Sequence, residues 1–386
     1  MPFTGKATYT AGASLPEIAE DISDLVSLNA PVETPLLDAI GDASRQAQST
    51  VHEWLEDGLL PNLDAVADTT IANPLTETAF DVAHIERFRA GDQIRLGTAG
   101  EIMLVTAIAT STNTITVQRG YGGTTPQAIT NGAAIHILGN AALEGDDAAQ
   151  ARFTARVRRT NYTQIFSASA EVSGSQLAVR NIGVPHELNY QKQQRTRELL
   201  RDLENTVING VAPATNPQGS AAVRRTMRGI LSFITTNSFK PGAGDFPSDG
   251  VIGEPGINFA LRSIWQNGNA QADIILVNAG QKRAINSLLF PMRSFSASDE
   301  RYRSLVNLYE TDFGVCRIVM SRWLPAGTIA FLDSSRIEVL PLAGRSFQYR
   351  PLAATGDRES GQVIGEYTLE LRNENAHAVI SGLTDL

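Results

Sequence analysis

The sequence predicts an α+β chain in which a small all-β unit interrupts a larger mixed body. Three observations predict it. Residues 80–140 alternate apolar and polar side chains, with turn residues every eight to twelve positions, the pattern of short half-buried strands. Residues 185–209 read as one long helix with a polar middle. From residue 256 helical and strand patterns alternate, and the chain closes on a long period-two run, as in a mixed layer architecture.

Size and charge set the frame. The chain has 386 residues, 42% hydrophobic and 19% charged, with a net charge of −9, which is globular rather than disordered. No run of eighteen apolar residues occurs, so no membrane-crossing helix and no membrane partner are expected. Met1-Pro2-Phe3-Thr4-Gly5-Lys6 lacks the apolar stretch of a signal peptide, so the chain is expected to stay where it is made. The lone Cys316 excludes a disulfide framework and a cysteine-rich zinc site. Residues 1–80 carry thirteen acids against Lys6 and Arg45, 2 − 13 = −11, so the other 306 residues sum to +2. An acidic leading segment on a balanced body suits an arm resting on a basic surface; a solvated acidic face is the alternative. Of 32 bases, 28 are arginine. Arginine is enriched at interfaces and pairs carboxylates through two bonds, although a GC-rich genome gives the same bias.

The first fifty residues read as an arm. Ser14-Leu15-Pro16-Glu17 has the form of a capping box. A helix follows to about Leu28, with Leu15, Ile18, Ala19, Ile22, Leu25 and Val26 on one stripe, stopped at Asn29-Ala30-Pro31. Pro31 to Leu37, with two prolines, reads as extended. Trp54 is the largest apolar anchor of the stretch that follows.

In the inserted unit the strands fall at Phe80–Ile85, Asp92–Leu96, Glu101–Ile108, Thr114–Arg119 and Ala133–Leu138, with hairpin connections at 97–100 and 111–113. Five short strands suggest a small closed or sandwich-like β unit. Its charges balance, so it lacks the basic footprint of a nucleic-acid reader.

A strand-like stretch then runs from Ala151 to Val172. It holds Arg152, Arg156, Arg158 and Arg159, with no acid between Asp147 and Glu171. This is the most basic local patch and a seat for the acidic arm. Nucleic acid is the competing ligand, but only Tyr162 and Phe166 offer rings for base stacking. The helix of 185–209 spans roughly 36 Å. Gln191 to Glu198 contains no apolar residue, so it reads as a rod on the surface. Helices at 256–266 and 280–289, the second capped by Asn278, alternate with strands at 273–277, 315–321, 328–332 and 336–340. In the tail, Val363, Gly365, Tyr367, Leu369 and Leu371 share one strand face; Ile364, Glu366, Thr368 and Glu370 share the other.

Catalytic motifs are missing. The five histidines are scattered, and HExxH, GxxxxGK[ST] and GxSxG do not occur. Gly120-Tyr121-Gly122-Gly123 precedes no helix, which argues against a dinucleotide site. Cys316 sits in an apolar alternating strand, as a structural thiol does. Glu144, Asp146 and Asp147 miss the spacing of a calcium loop. No catalytic, cofactor or metal residue is assigned.

In order, these parts resemble the Hong Kong 97-type major capsid protein of tailed bacteriophages. Pro31-Val32-Glu33-Thr34-Pro35 with Glu53-Trp54, the block from Phe88 to Gly123, and Asn161-Tyr162-Thr163-Gln164-Ile165-Phe166 resemble its SU-ten-like group. The resemblance implies an N-terminal arm at 1–50, an extended loop at 51–79 and 141–180, and an inserted β domain at 80–140. It implies a peripheral domain at 181–249 and 351–386 with a spine helix at 185–209, and an axial domain at 250–350.

As function it implies a virion shell of hexamers and pentamers around double-stranded DNA, assembled in the host cytoplasm and without enzymatic activity. DNA would touch the wall only loosely. Portal, scaffolding and decoration or minor capsid proteins are the partners it implies, all as separate chains. An encapsulin-like compartment and an α/β enzyme with a β accessory domain are the other readings. The family's known cross-link uses a lysine of the extended loop, and residues 51–79 and 141–180 contain none, so a noncovalent shell is expected. The expected inter-subunit contacts are the arm acids Glu17, Glu20, Asp21 and Asp24, the anchor Trp54, and the arginines Arg152, Arg156, Arg158 and Arg195.

Overall fold

The structure is a computed structural model, which describes residues 34–97, 100–145, 154, 156–179, 186–247, 249–268, 270–289, 308–353 and 356–385. The helix expected at 14–28, with Glu17, Glu20, Asp21 and Asp24, lies outside the described residues, as does Arg152. The chain forms two compact units. One runs to Trp54 and resumes at Arg159; the other is Leu55–Arg158.

The first described element is α1 (Pro35–Ile40), where an extended segment was expected. Pro35 takes the first helical position, where its missing N–H costs nothing. The next two amides, Leu36 and Leu37, donate to the two carboxylate oxygens of Glu204 at 3.0 and 2.9 Å. A partner distant in sequence thus satisfies the helix start, and no local signal announces it. Next, β1 (Val51–Glu56) pairs with β8 (Val157–Tyr162) in a two-stranded ribbon.

The inserted unit is a six-stranded antiparallel sheet ordered β2 (Leu63–Ala65), β7 (Ala134–Asn140), β4 (Asp92–Leu96), β5 (Ile102–Ala109), β6 (Thr114–Gln118), β3 (Ala79–Asp81). Its two end strands meet through a bridge between Val66 and Val82, with Ala67 N–H to Asp81 O at 2.9 Å and Ala83 N–H to Ala65 O at 3.0 Å. The sheet therefore closes into a barrel, which removes its open edges. Register shifts at Gln93/Ile94 and Val105/Ala107 supply the local bend. Inward positions such as Phe80, Ile94, Met103, Ile115 and Ile135 are fully buried. The barrel starts at residue 63, earlier than the 80 expected, because β2 is three residues long and too short to show alternation.

In the other unit the stretch expected as one strand is two, β8 and β9 (Gln164–Ser173), broken at Thr163. Then come α2 (Gly174–Ala178) and α3 (Glu187–Asn209). The polar first half of α3 buries no residue; the second half buries Leu199, Leu203, Glu204, Val207 and Ile208. After α4 (Ile230–Phe233), β10 (Ser238–Phe239) and α5 (Glu254–Gly268), the chain enters β11 (Ile274–Val277). Helix α6 (Ala279–Leu289) is capped by Asn278, which accepts from Gln281 N–H at 3.1 Å. The rest is β12 (Leu308–Thr311), β13 (Gly314–Met320), β14 (Ile329–Leu332), β15 (Ile337–Pro341), β16 (Gln348–Pro351), β17 (Arg358–Leu371) and β18 (Ala378–Ile380).

These strands make two sheets. One is six-stranded and mixed, ordered β10-β18-β14-β11-β13-β12, with residues of α5 and α6 packed in the core on one face. The other centres on β17. It pairs along 358–367 with β9, and on its other edge with β16 and then β15, end to end. Helix α3 packs on β9 and β17. Strand pairing cuts across the boundaries expected from sequence. β15, expected with 250–350, joins β17, and β18, expected with the tail, enters the mixed sheet.

Candidate functional site

The densest charged cluster among the described residues lies on β17 and β15. Glu366, Thr368 and Glu370 share one strand face by alternation, and all three are buried. Glu338 of β15 stands directly opposite Glu370. Two carboxylates at that spacing repel, and two guanidiniums hold them. Arg45 reaches Glu338 at 2.8 Å and Glu370 at 3.1 Å, and Arg372 reaches them at 2.5 and 3.3 Å. His52 Nε2 adds a contact of 2.6 Å to Glu370. Burial raises the Glu370 carboxyl, but hydrogen bonds from His52 and Arg45 outweigh it and hold it below the ordinary value.

Glu366 has its own set. Arg225 lies 2.6 Å and Arg345 2.7 Å away, and the Thr163 hydroxyl donates to it at 2.5 Å. Thr163 is the break between β8 and β9, and its N–H donates to Thr50 O. Arg45 precedes β1, His52 lies on it, Thr163 separates β8 from β9, and Arg225 comes from the loop after α3. One buried carboxylate row therefore ties four sequence-distant segments of this unit to β17. Asn161 is fully buried nearby, its amide donating to Leu369 O and Arg228 O.

Glu204 is a second fixed point. It is fully buried, and beyond the two α1 amides it accepts from Ser321 Oγ at 3.4 Å. Burial pushes its carboxyl above the ordinary value, against the opposing pull of the Leu37 and Leu36 amides.

The residues expected to make inter-subunit contacts are not gathered here. Trp54 is 8% exposed and packs on Phe233 of its own chain, ring centroids 6.0 Å apart. It is a core residue and leaves little surface for a neighbour. Arg156 is exposed and lies 3.5 Å from Asp57; Arg195 pairs with Glu198 at 2.7 Å along α3. Arg158 is exposed on β8. Sequence reasoning missed the cluster on β17. Its only sequence signal is acid alternating with threonine opposite an apolar face, in a chain rich in arginine. Cys316 is buried as expected, and burial raises its thiol to about 11. Among the described residues no group of His, Cys, Asp and Glu is placed to hold a metal ion, and no helix is long and apolar enough to cross a membrane.

The SU10 major capsid protein family model matches residues 3–384. The chain belongs to that family. Its sequence is 24% identical over 286 residues to the major capsid protein of Escherichia phage Phieco32, covering 62% of this chain and 80% of that one. The capsid of a native GTA particle aligns at TM-score 0.54 and 11% identity, covering 99% of this chain and all of that chain. Microbacterium phage Oxtober96 aligns at 0.52 and 12%, covering 95% and 97%. At these identities the structural matches carry the fold, and it is the α+β Hong Kong 97-type fold that the element order suggested. As a member of this family the chain is a bacteriophage major capsid protein, a structural protein of the head shell.

Proposed function

We propose that copies of this chain close into rings of six and five and build an icosahedral shell around double-stranded viral DNA, with no catalytic role. The observation that carries this reading is a contrast in burial. The roots of arm and loop are locked by buried ion pairs, while Leu55, Leu59, Leu143 and Val157 beyond the root are 62, 96, 78 and 49% exposed. A capsid subunit gains by laying such residues on sister copies, and rings require heterologous contacts that close by rotation. In this reading residues 1–50 are the arm, 51–79 and 141–180 the extended loop, 80–140 with β2 the insertion, 181–249 with 351–386 the peripheral part, and 250–350 the axial part, except that β15 joins the peripheral sheet and β18 the axial one. Assembly takes place in the host cytoplasm. Portal, scaffolding and decoration proteins are its partners, and DNA slides past a wall of net negative charge. Each exposed arm–loop ion pair contributes only about 0–1 kcal/mol, so repetition over many copies supplies the strength.

Electron microscopy of the expressed chain tests this. Closed shells tens of nanometres across are expected; a monomer or a small closed oligomer under all assembly conditions overturns it.

A further inference from the structure

The barrel register fixes which side chains face outward. Leu63 stands beside His136, His136 beside Arg95, and Arg95 beside Ile102, a row across β2, β7, β4 and β5. In the next row Gln93 stands beside Leu104, and Leu138, the extra residue of the bulge opposite Gln93 and Ile94, is exposed. The inward neighbours Ile94, Leu96, Met103 and Ile135 fill the core. Four large aliphatic side chains, Leu63, Ile102, Leu104 and Leu138, therefore face outward around one guanidinium. Leu63 and Leu138 are 47 and 48% exposed.

Arg95 differs from the other arginines of the barrel. Arg87 reaches Asp64 at 3.2 Å and Arg119 reaches Glu101 at 2.7 Å. No carboxylate among the described residues lies within 4.0 Å of Arg95, and its buried Nε has no acceptor among them. Surface of this kind, apolar with one unpaired cation, fits an apolar segment carrying acids. Residues 1–33 have that composition. Lys6 against Glu17, Glu20, Asp21, Asp24 and Glu33 gives 1 − 5 = −4, and Leu15, Ile18, Ile22 and Leu25 recur at helical spacing between the acids. With 14–28 at helical rise and the other residues extended, a segment of 33 residues spans on the order of 80 Å. Arg156 and Arg195, expected to receive this segment, already have acids of their own chain at 3.5 and 2.7 Å.

We propose that the outward face of β2, β7, β4 and β5 is the docking surface for residues 14–28 of a neighbouring copy, with an acid of that segment on Arg95. This rests on the shell reading above, so its test begins from wild-type shells. Absence of such shells overturns both, whereas shells without the link described next overturn this proposal alone. A photo-crosslinking amino acid replaces Leu138 in the full chain, and assembled particles are irradiated and digested. The expected product is a band at twice the chain mass whose linked peptide falls within 14–28. Links elsewhere, or to another protein, overturn the proposal. If the Leu138 variant does not assemble, the same probe at Leu63 reads out the same link. In parallel, Arg95→Glu is expected to lose most shells, with recovery when combined with Asp21→Arg and Asp24→Arg. Wild-type shell yield from Arg95→Glu overturns the ionic part.

Discussion

Nε2 of His52 lies 2.6 Å from Oε2 of Glu370, joining β1 to the central strand of the β17 sheet. The contact spans 318 residues of sequence. It works as a pin because Glu370 is buried while Arg45, on its other oxygen, is half exposed.

Glu370→Gln should therefore destabilise the chain without changing its fold. Removing one partner of a buried pair leaves the remaining charges undersatisfied, and with Arg45 partly in solvent the cost is about 2–3 kcal/mol. The sign with pH follows from the lowered carboxyl. Its contribution is present above the ordinary value of 4.5 and is lost as pH falls through the folded value. Denaturant unfolding at pH 7 should separate variant from wild type, and the gap should close in strong acid. Equal midpoints at pH 7 would show that the pin carries no stability.

Glu204 gives the opposite sign. Burial raises its carboxyl, so its contribution is full below 4.5 and is lost as pH rises through the folded value. Truncation to alanine strands the Leu36 and Leu37 amides. Hydrogen exchange at those two amides should then run at least about tenfold faster at pH 7, the equivalent of one lost buried bond. Unchanged exchange would mean that α1 is held by Leu36 packing alone.

Much of this fold was legible because its signals are local. Period two gave β4 at Asp92–Leu96 to the residue, and Asn278 marked the start of α6. What escaped depended on distant partners. Pro35–Leu37 looks extended until Glu204 supplies acceptors from 167 residues away. Glu366 and Glu370 show in sequence only as one face of an alternating strand; Arg45, Arg225, Arg345 and Arg372, all but the last from other segments, pair with them in the fold. Trp54 looks like an anchor for a neighbour because nothing in sequence places Phe233 against it. Burial of charge is a tertiary property, and no window of sequence reports it.

Gly365 makes room for a ring. A Cβ there would sit 2.5 Å from Phe347 Cδ1, and one at Gly361 would meet Tyr349 Oη. Phe347 packs at 4.8 Å from Tyr367 and 6.3 Å from Phe166, so it has little freedom to yield. Gly365→Ala should cost about 1–3 kcal/mol through overpacking. Gly58→Ala, with open space around it, should stay within about 0.5 kcal/mol. Thermal unfolding of the two variants side by side checks the contrast.

Residues 51–79 and 141–180 contain no lysine, which removes the amine that a loop cross-link needs. Mature particles boiled in detergent should run as one band at the chain mass. A ladder of covalent multimers would refute the noncovalent shell.

His377 should dominate the mild-acid response. It is fully buried, its Nδ1 accepts from Asp333 N–H at 3.2 Å, and its Nε2 has no partner among the described residues. Burial lowers its pKa from 6.5 to about 4. Between those values the unfolded chain binds a proton that the folded chain refuses, so stability falls as pH falls. The full loss is about 3 kcal/mol, from a shift of roughly 2.5 at 1.36 kcal/mol each. Glu204 drives the other way as acid is added, so the measurement belongs in a Glu204→Gln background. There, unfolding free energy should decline from pH 6.5 towards 4.5, above the range where Glu370 protonates. Adding His377→Gln should flatten the decline, because an amide takes no proton in that window. A decline of equal slope in both chains would place the acid-labile group elsewhere.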